Sequence, residues 1–161
     1  MKKIKKLLIA NRGEIAIRVA RTAKRMGIPT VAIYSELDKK SQHLDFCDEA
    51  YSLGDGVIAD TYLNVAKIMA IAKATGANAI HPGYGFLSER PHFVNACEEN
   101  GIIFVGPSAD SMNSMGDKIQ SKLYMKKLGV PLVPGSDGAL KTVQEARAVA
   151  SKIGYPVLLK A

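Results

Sequence analysis

The chain has 161 residues, 47% hydrophobic and 23% charged, a balance that supports a packed core and excludes a disordered chain. That length suits one domain or slightly more, and no apolar run approaches the ~20 residues that a membrane-spanning helix needs. The formal net charge of +7 is uneven, +8 over residues 1–28, −6 over 29–113 and +5 over 114–161; with aromatics at only 6%, this suits a solvated helix face and a small-anion site better than a nucleic-acid surface.

The basic start, MKKIKK, is followed by only LLIA before Asn11, Arg12 and Glu14, too short an apolar stretch for an export signal. Residues 5–10 (KKLLIA) predict a short buried strand, ended by Asn11 and Gly13. Residues 14–26 predict a helix with Ile15, Val19, Ala23 and Met26 on its inner face and Arg18, Arg21 and Arg25 on another. Glu14 and Arg18 are spaced for an i,i+4 ion pair, and Gly27 suits the C-terminal cap. TVAIY (30–34) predicts a second strand, the polar run 35–43 a loop, and residues 49–53 a third strand closed by Gly54-Asp55-Gly56. Residues 64–75 predict a helix capped by Asn64, with Val65, Ile68, Met69 and Ala72 inward. A strand over 77–81, a helix over 91–100 ended by Gly101, a strand over 102–105 and a short helix capped by Ser108 complete this part. Strand and helix alternate with short connections, so the expected class is α/β, a parallel sheet with helices on both faces.

Past residue 113 the pattern changes. A lysine-rich helix over 117–128 leads into the Pro/Gly-punctuated linker VPLVPGSDG, and Thr142 and Glu145 have capping-box spacing for a helix to Ile153. YPVLLKA (155–161) then predicts the start of a strand. An apolar strand needs neighbours, and this section is too small for its own core, so a piece of a longer protein is expected. Cys47 and Cys97 stand far apart with no metal-ligand spacing, which suits a reducing, cytoplasmic setting and two structural thiols.

Four places carry candidate chemistry. The turn Asn11-Arg12-Gly13-Glu14 sits where dinucleotide folds cradle a pyrophosphate, but it has one glycine of the three in the fingerprint; Glu36 or Asp38 stands where a ribose-binding acid would. HPGYGF (81–86) follows a strand at the end where open parallel sheets place ligands. It reads equally as a ligand-facing loop and as a tight turn whose His81 and Tyr84 are satisfied internally. Lys118, in the first turn of a helix, opposes the macrodipole unless an anion such as a phosphate sits there; an exposed lysine is the equal alternative. Lys160 interrupts an apolar strand and calls for an anionic partner or a strand end facing water.

Several stretches together resemble one family: IANRGEIAIRVAR, HPGYGFLSE, FVGPS, MGDK, MKKLGVPLVPGSDG and IGYPVLLKA are similar, in order, to the N-terminal part of biotin carboxylases. The resemblance implies a Rossmann-like pre-ATP-grasp domain over residues 1–113 and the start of an ATP-grasp domain over 114–161. It also implies a reaction: MgATP activates bicarbonate through carboxyphosphate, and biotin on a biotin carboxyl carrier protein is carboxylated. A carboxyltransferase then serves the acceptor. The resemblance assigns Lys118 and Lys160 to ATP, Tyr84 and Gly85 to the neighbourhood of the biotin ring, and Arg18 to a homodimer interface, with neither nucleic acid nor membrane as partner. The magnesium ligands, bicarbonate-binding groups and catalytic base fall outside these residues, so this stretch alone is expected to be inactive. Acetyl-CoA carboxylase, hence fatty acid synthesis, is the expected setting, with the pyruvate and propionyl-CoA enzymes and a stand-alone nucleotide-binding module as alternatives. After Ser88-Glu89 this chain has Arg90-Pro91 where many relatives carry asparagine.

Overall fold

A computed structural model describes residues 3–116, 118–136 and 138–159. The chain divides into two compact units, one up to Met112 and one from Asn113. The first is built on five parallel strands: β1 (Leu7–Ile9), β2 (Thr30–Tyr34), β3 (Glu49–Ser52), β4 (Ala79–His81) and β5 (Ile103–Phe104), in the order β3-β2-β1-β4-β5. The central strand β1 is wholly apolar and buried along its length, as a sheet covered on both faces requires.

Alternation along β1 divides the core in two. Leu7 and Ile9 point to the side of α1 (Gly13–Arg25), where they pack with Ala16, Val19, Ala20 and Ala23. Leu8 points the other way, into a larger cluster with Val31, Ile33 and Ile80, closed by Ile68 and Ala72 of α2 (Val65–Thr75) and Phe93 and Cys97 of α3 (Pro91–Glu99). Helices therefore cover both faces, as the alternating pattern predicts. Asn64 caps α2 by accepting from the Lys67 amide at 3.0 Å, and Pro91 opens α3 at the position where its missing N–H costs nothing.

Three local readings change. The inner face of α1 is its alanine face, with Met26 67% exposed, because small residues let the helix lie close on the sheet. Glu14 and Arg18 do not pair: Glu14 accepts from Tyr84 and Arg18 donates to Thr22 at 2.7 Å. The polar run after β2 folds into 3-10 turns over Glu36–Asp38 and Gln42–Phe46, and the second buries His43 with Nε2 3.3 Å from the Ile33 carbonyl. Its Nδ1 has no partner among the described residues.

The helix α4 (Ala109–Gly116) runs across the boundary, its N-terminus capped by Ser108 accepting from the Ser111 amide. In the second unit α5 (Lys118–Lys127) is tied to the linker by Lys122 donating to the Ser136 carbonyl at 3.0 Å. Thr142 caps α6 (Val143–Ile153), and Glu145 closes the turn on the Lys141 amide, one residue before the expected one. Residues 155–159 form no strand, since they find no neighbouring strand to pair with among the described residues; Leu158 and Leu159 are 83% and 75% exposed. Among the described residues no helix is long and apolar enough to cross a membrane.

Phe93 is fully buried and meets Phe104 edge-on, centroids 5.9 Å apart. Phe93→Ala is expected to destabilise the first unit by ~3–5 kcal/mol, read as a lower urea midpoint at constant m-value. A loss below ~1 kcal/mol would contradict this packing.

Candidate functional site

In this strand order successive connections run outward from β1 on one side to β3, and from β4 on the other to β5. The direction reverses between β1 and β4, and at such a switch point the carboxyl ends of the strands leave an open crevice. Two segments leave the sheet there: the turn 11–14 after β1 and the loop 82–90 after β4.

Asn11 joins them. It is buried, and its side-chain amide donates to the Pro82 carbonyl at 2.7 Å and to the Tyr84 carbonyl at 2.8 Å. Those carbonyls have no sheet partner, so the asparagine satisfies backbone that would otherwise be stranded. Gly83 passes against it with φ +67°, and a β-carbon there would lie 2.7 Å from the Asn11 amide nitrogen. Gly85 also has a positive φ (+64°), but open space beside it. The loop is anchored beyond by Leu87, buried in the larger core, and by the Ser88 amide donating to the Gly85 carbonyl at 2.8 Å. At its base His81 accepts from the Gly83 amide through Nδ1 (3.0 Å), and burial pushes its pKa below the ordinary value, so the ring is neutral with its proton on Nε2.

What the loop presents outward is Tyr84, 61% exposed, and the bare backbone of Gly85. The phenol donates to the Glu14 carboxylate at 2.5 Å, and that hydrogen bond, then the carboxylate's charge, raises the Tyr84 pKa. The tyrosine is thus a neutral ring held by its tip. Asn11, Gly13, Glu14, Tyr84, Gly85 and Phe86 line a hollow of ≈ 400 Å³. Arg12 also lines the hollow; it donates to Asp38 at 2.8 Å, and its guanidinium lies 5.2 Å from the Tyr62 centroid and 5.7 Å from that of Phe86. Those rings are stacked, 5.2 Å apart and 4° from parallel. Asp38 also accepts from Ser35 (2.9 Å) and Tyr62 (2.8 Å). Burial works against its charge, but the hydrogen bonds from Arg12, Tyr62 and Ser35 outweigh it and hold its pKa below the ordinary carboxylate value. Tyr62 is pushed up to about 12, first by burial and then by Asp38, and so stays a donor.

Of the residues singled out in the sequence, Tyr84 and Gly85 face this hollow together. Arg18 is elsewhere, on the exposed side of α1, where Arg18, Arg21, Lys24, Arg25 and Phe46 line a second hollow and the Arg21 guanidinium sits 4.9 Å over the Phe46 ring. Lys118 opens α5 in the second unit; its side chain and the whole of Lys160 lie outside the described residues. Asp38 is no ribose acceptor, since its Oδ2 is taken by Arg12, Ser35 and Tyr62. Sequence reasoning weighed Asn11 and Arg12 as part of a possible pyrophosphate cradle and did not foresee their contacts with the loop after β4 and with Asp38. The available signal was a large amide directly after a buried strand; nothing nearby in sequence announces Tyr62. Among the described residues no three His, Cys, Asp or Glu side chains are grouped to hold a metal.

The family described as "Biotin carboxylase, N-terminal domain" matches residues 3–112, and that described as "Carbamoyl-phosphate synthase L chain, ATP binding domain" matches residues 117–161. The chain is 54% identical over 158 residues to a Bacillus subtilis (strain 168) protein named Biotin carboxylase 1, covering 98% of this chain and 35% of that one. It is 57% identical over 157 residues to the 2-oxoglutarate carboxylase small subunit of Hydrogenobacter thermophilus, covering 98% of this chain and 33% of that one. A crystal structure of the Hydrogenobacter thermophilus 2-oxoglutarate carboxylase biotin carboxylase domain dimer, with MgADP, ADP and bicarbonate, superposes with a TM-score of 0.86 at 54% identity. The match covers 97% of this chain and 34% of that one. The chain thus spans about a third of the length of the relatives it matches.

Both loop glycines have positive φ, so alanine strains either by ~1–3 kcal/mol; only at Gly83 does the new carbon also strike Asn11. Gly83→Ala is expected to lower stability more than Gly85→Ala by urea unfolding, and equal losses would contradict the close approach. The depressed pKa of Asp38 has a definite sign: its contribution is present above the ordinary carboxylate range near pH 4 and is lost as pH falls through the lower folded value. The stability gap between wild type and Asp38→Asn is therefore expected to be wide at pH 7 and to narrow below about pH 4. A gap independent of pH would remove the ion pair.

Proposed function

Because the chain belongs to the family of biotin carboxylase N-terminal domains, we propose that it is part of an ATP-dependent ligase that carboxylates biotin. In the whole enzyme, bicarbonate oxygen bonds to the γ-phosphorus of MgATP and ADP leaves. The resulting carboxyphosphate yields its carboxyl group to a ureido nitrogen of biotin, which loses its proton, and phosphate leaves. The biotin arrives on a biotin carboxyl carrier protein, and a carboxyltransferase passes the carboxyl group on. The setting is cytoplasmic.

The observation that carries this reading is the loop at the switch point. A neutral, tip-anchored tyrosine beside a bare glycine backbone makes a wall that a flat, uncharged ring can approach closely. Tyr84 and Gly85 are its two contact positions. Lys118 and Lys160 are assigned to the ATP phosphates by their places in MGDK and VLLKA, where two cations neutralise a polyphosphate and orient the transferred group. The magnesium ligands and the base are assigned outside these 161 residues. Arg18 and its basic neighbours on α1 are assigned to a homodimer face. The acceptor is taken as acetyl-CoA, on the likeness of the linker VPLVPGSDG to that branch; relatives of near-equal identity include a 2-oxoglutarate enzyme.

The full-length protein is expected to hydrolyse ATP in a bicarbonate- and biotin-dependent manner, and the 161-residue chain alone to be inactive. Tyr84→Ala is expected to raise KM for biotin about tenfold, consistent with one lost ring contact, while Lys118→Ala raises KM for ATP. Labelled bicarbonate supplied to the native complex should reach acetyl-CoA in preference to pyruvate or 2-oxoglutarate, and Arg18→Glu should shift the sedimenting mass toward the monomer. Absence of biotin-dependent hydrolysis by the full-length protein would overturn the assignment.

A further inference from the structure

Arg12, Asp38, Tyr62 and Phe86 have no part in the reaction just described, yet they form the most highly connected group at the crevice. Phe86 follows Gly85 directly and has φ +41°, a left-handed backbone that a bulky residue adopts only when its surroundings enforce it. What enforces it is visible: its ring lies flat on Tyr62, and the Arg12 guanidinium lies over both rings. Arg12 is fixed in turn by Asp38, and Asp38 by Ser35 and Tyr62. The chain of contact therefore runs from the turns after β1 and β2, through two rings, to the backbone that carries Gly85. Arg12 reaches Asp38 through Nη1 and its guanidinium carbon lies over both rings, so, although Arg12 also borders the hollow, its hold on the loop passes through Phe86.

We propose that Arg12 and Asp38 are positioning residues: through the Tyr62–Phe86 stack they hold the Tyr84–Gly85 wall in the one backbone geometry that admits the biotin ring. This rests on the reading of that wall as the biotin contact. The clamp belongs entirely to the first unit, so it acts on biotin recognition and not on ATP. The left-handed Phe86 stores the alternative: released from the stack, residue 86 relaxes toward negative φ and carries Gly85 with it.

The test uses the full-length protein with Asp38→Asn, Arg12→Met and Phe86→Leu, the last removing a ring without touching the ion pair. Each is expected to raise KM for free biotin by about tenfold or more, the scale of a small misplacement of a contact group, with KM for ATP unchanged. Arg12→Lys, which keeps the ion pair, should fall back toward wild type. Amide exchange should quicken about tenfold at Gly85–Ser88, with protection in β1 and β4 unchanged, a pattern that general loss of stability does not produce. Equal rises in both KM values, or a loop exchanging as in wild type, would overturn the clamp. Tyr84→Ala separates the two levels: if it leaves KM for biotin unmoved, the biotin-facing reading fails. If it moves KM while Asp38→Asn, Arg12→Met and Phe86→Leu do not, only the clamp fails.

Discussion

The site depends on one buried amide. β1 ends at Ile9, and two residues later Asn11 turns its side chain toward the neighbouring strand's exit to hold the carbonyls of Pro82 and Tyr84. No ladder continues there, so the loop's backbone would otherwise face the protein interior with its acceptors unmet, at ~1–3 kcal/mol for each. An asparagine serves because its two donors reach two acceptors at once from one short side chain. The glycine at 83 follows from the same contact, since the amide occupies the space a side chain would need. A loop with two positive-φ glycines would ordinarily be mobile; this one has its carbonyls pinned from the adjacent strand.

The topology explains why asparagine and loop meet at all. Only at the reversal of strand order do the exits of β1 and β4 lie side by side, with Ile9 in register with His81. A residue at the end of β2 or β5 would face a helix connection on the same side and have no crevice to line. Arg12 and Asp38 extend the same logic one strand further: the turn after β2 supplies the carboxylate, and the turn after β1 the cation. With side chains 39% and 17% exposed, the pair is partly screened by solvent; its weight lies in the three hydrogen bonds that fix the carboxylate and the rings that the guanidinium covers.

The periodic elements were readable from the residues. The apolar run at β1, TVAIY at β2 and the apolar stripe of α2 follow from burial, and burial leaves a pattern in sequence. On the inner face of α1, Val19 and Ala23 are buried as expected, but Met26 is exposed and close packing adds Ala16 and Ala20. The 3-10 turns of residues 36–46 were hidden by their polarity, and His43 is buried among them through tertiary packing that no local rule marks. At the site, the stretch HPGYGF could be singled out because glycines and aromatics side by side are unusual after a strand, while the choice of Tyr84 and Gly85 within it came from the family resemblance. Asn11, Asp38 and Tyr62 could not be joined to them. The contacts span 73 residues from Asn11 to Tyr84 and 24 from Asp38 to Tyr62, and separation of that kind is set by strand order.

The wall at 84–85 is held by Asn11, Glu14, Leu87 and the Tyr62–Phe86 stack, all in the first unit. A rigid neutral surface of this kind suits a flat uncharged ring and not a polyphosphate, which calls for cations. A rigid surface is best made where a parallel sheet reverses, because both flanking turns are fixed by strands already buried.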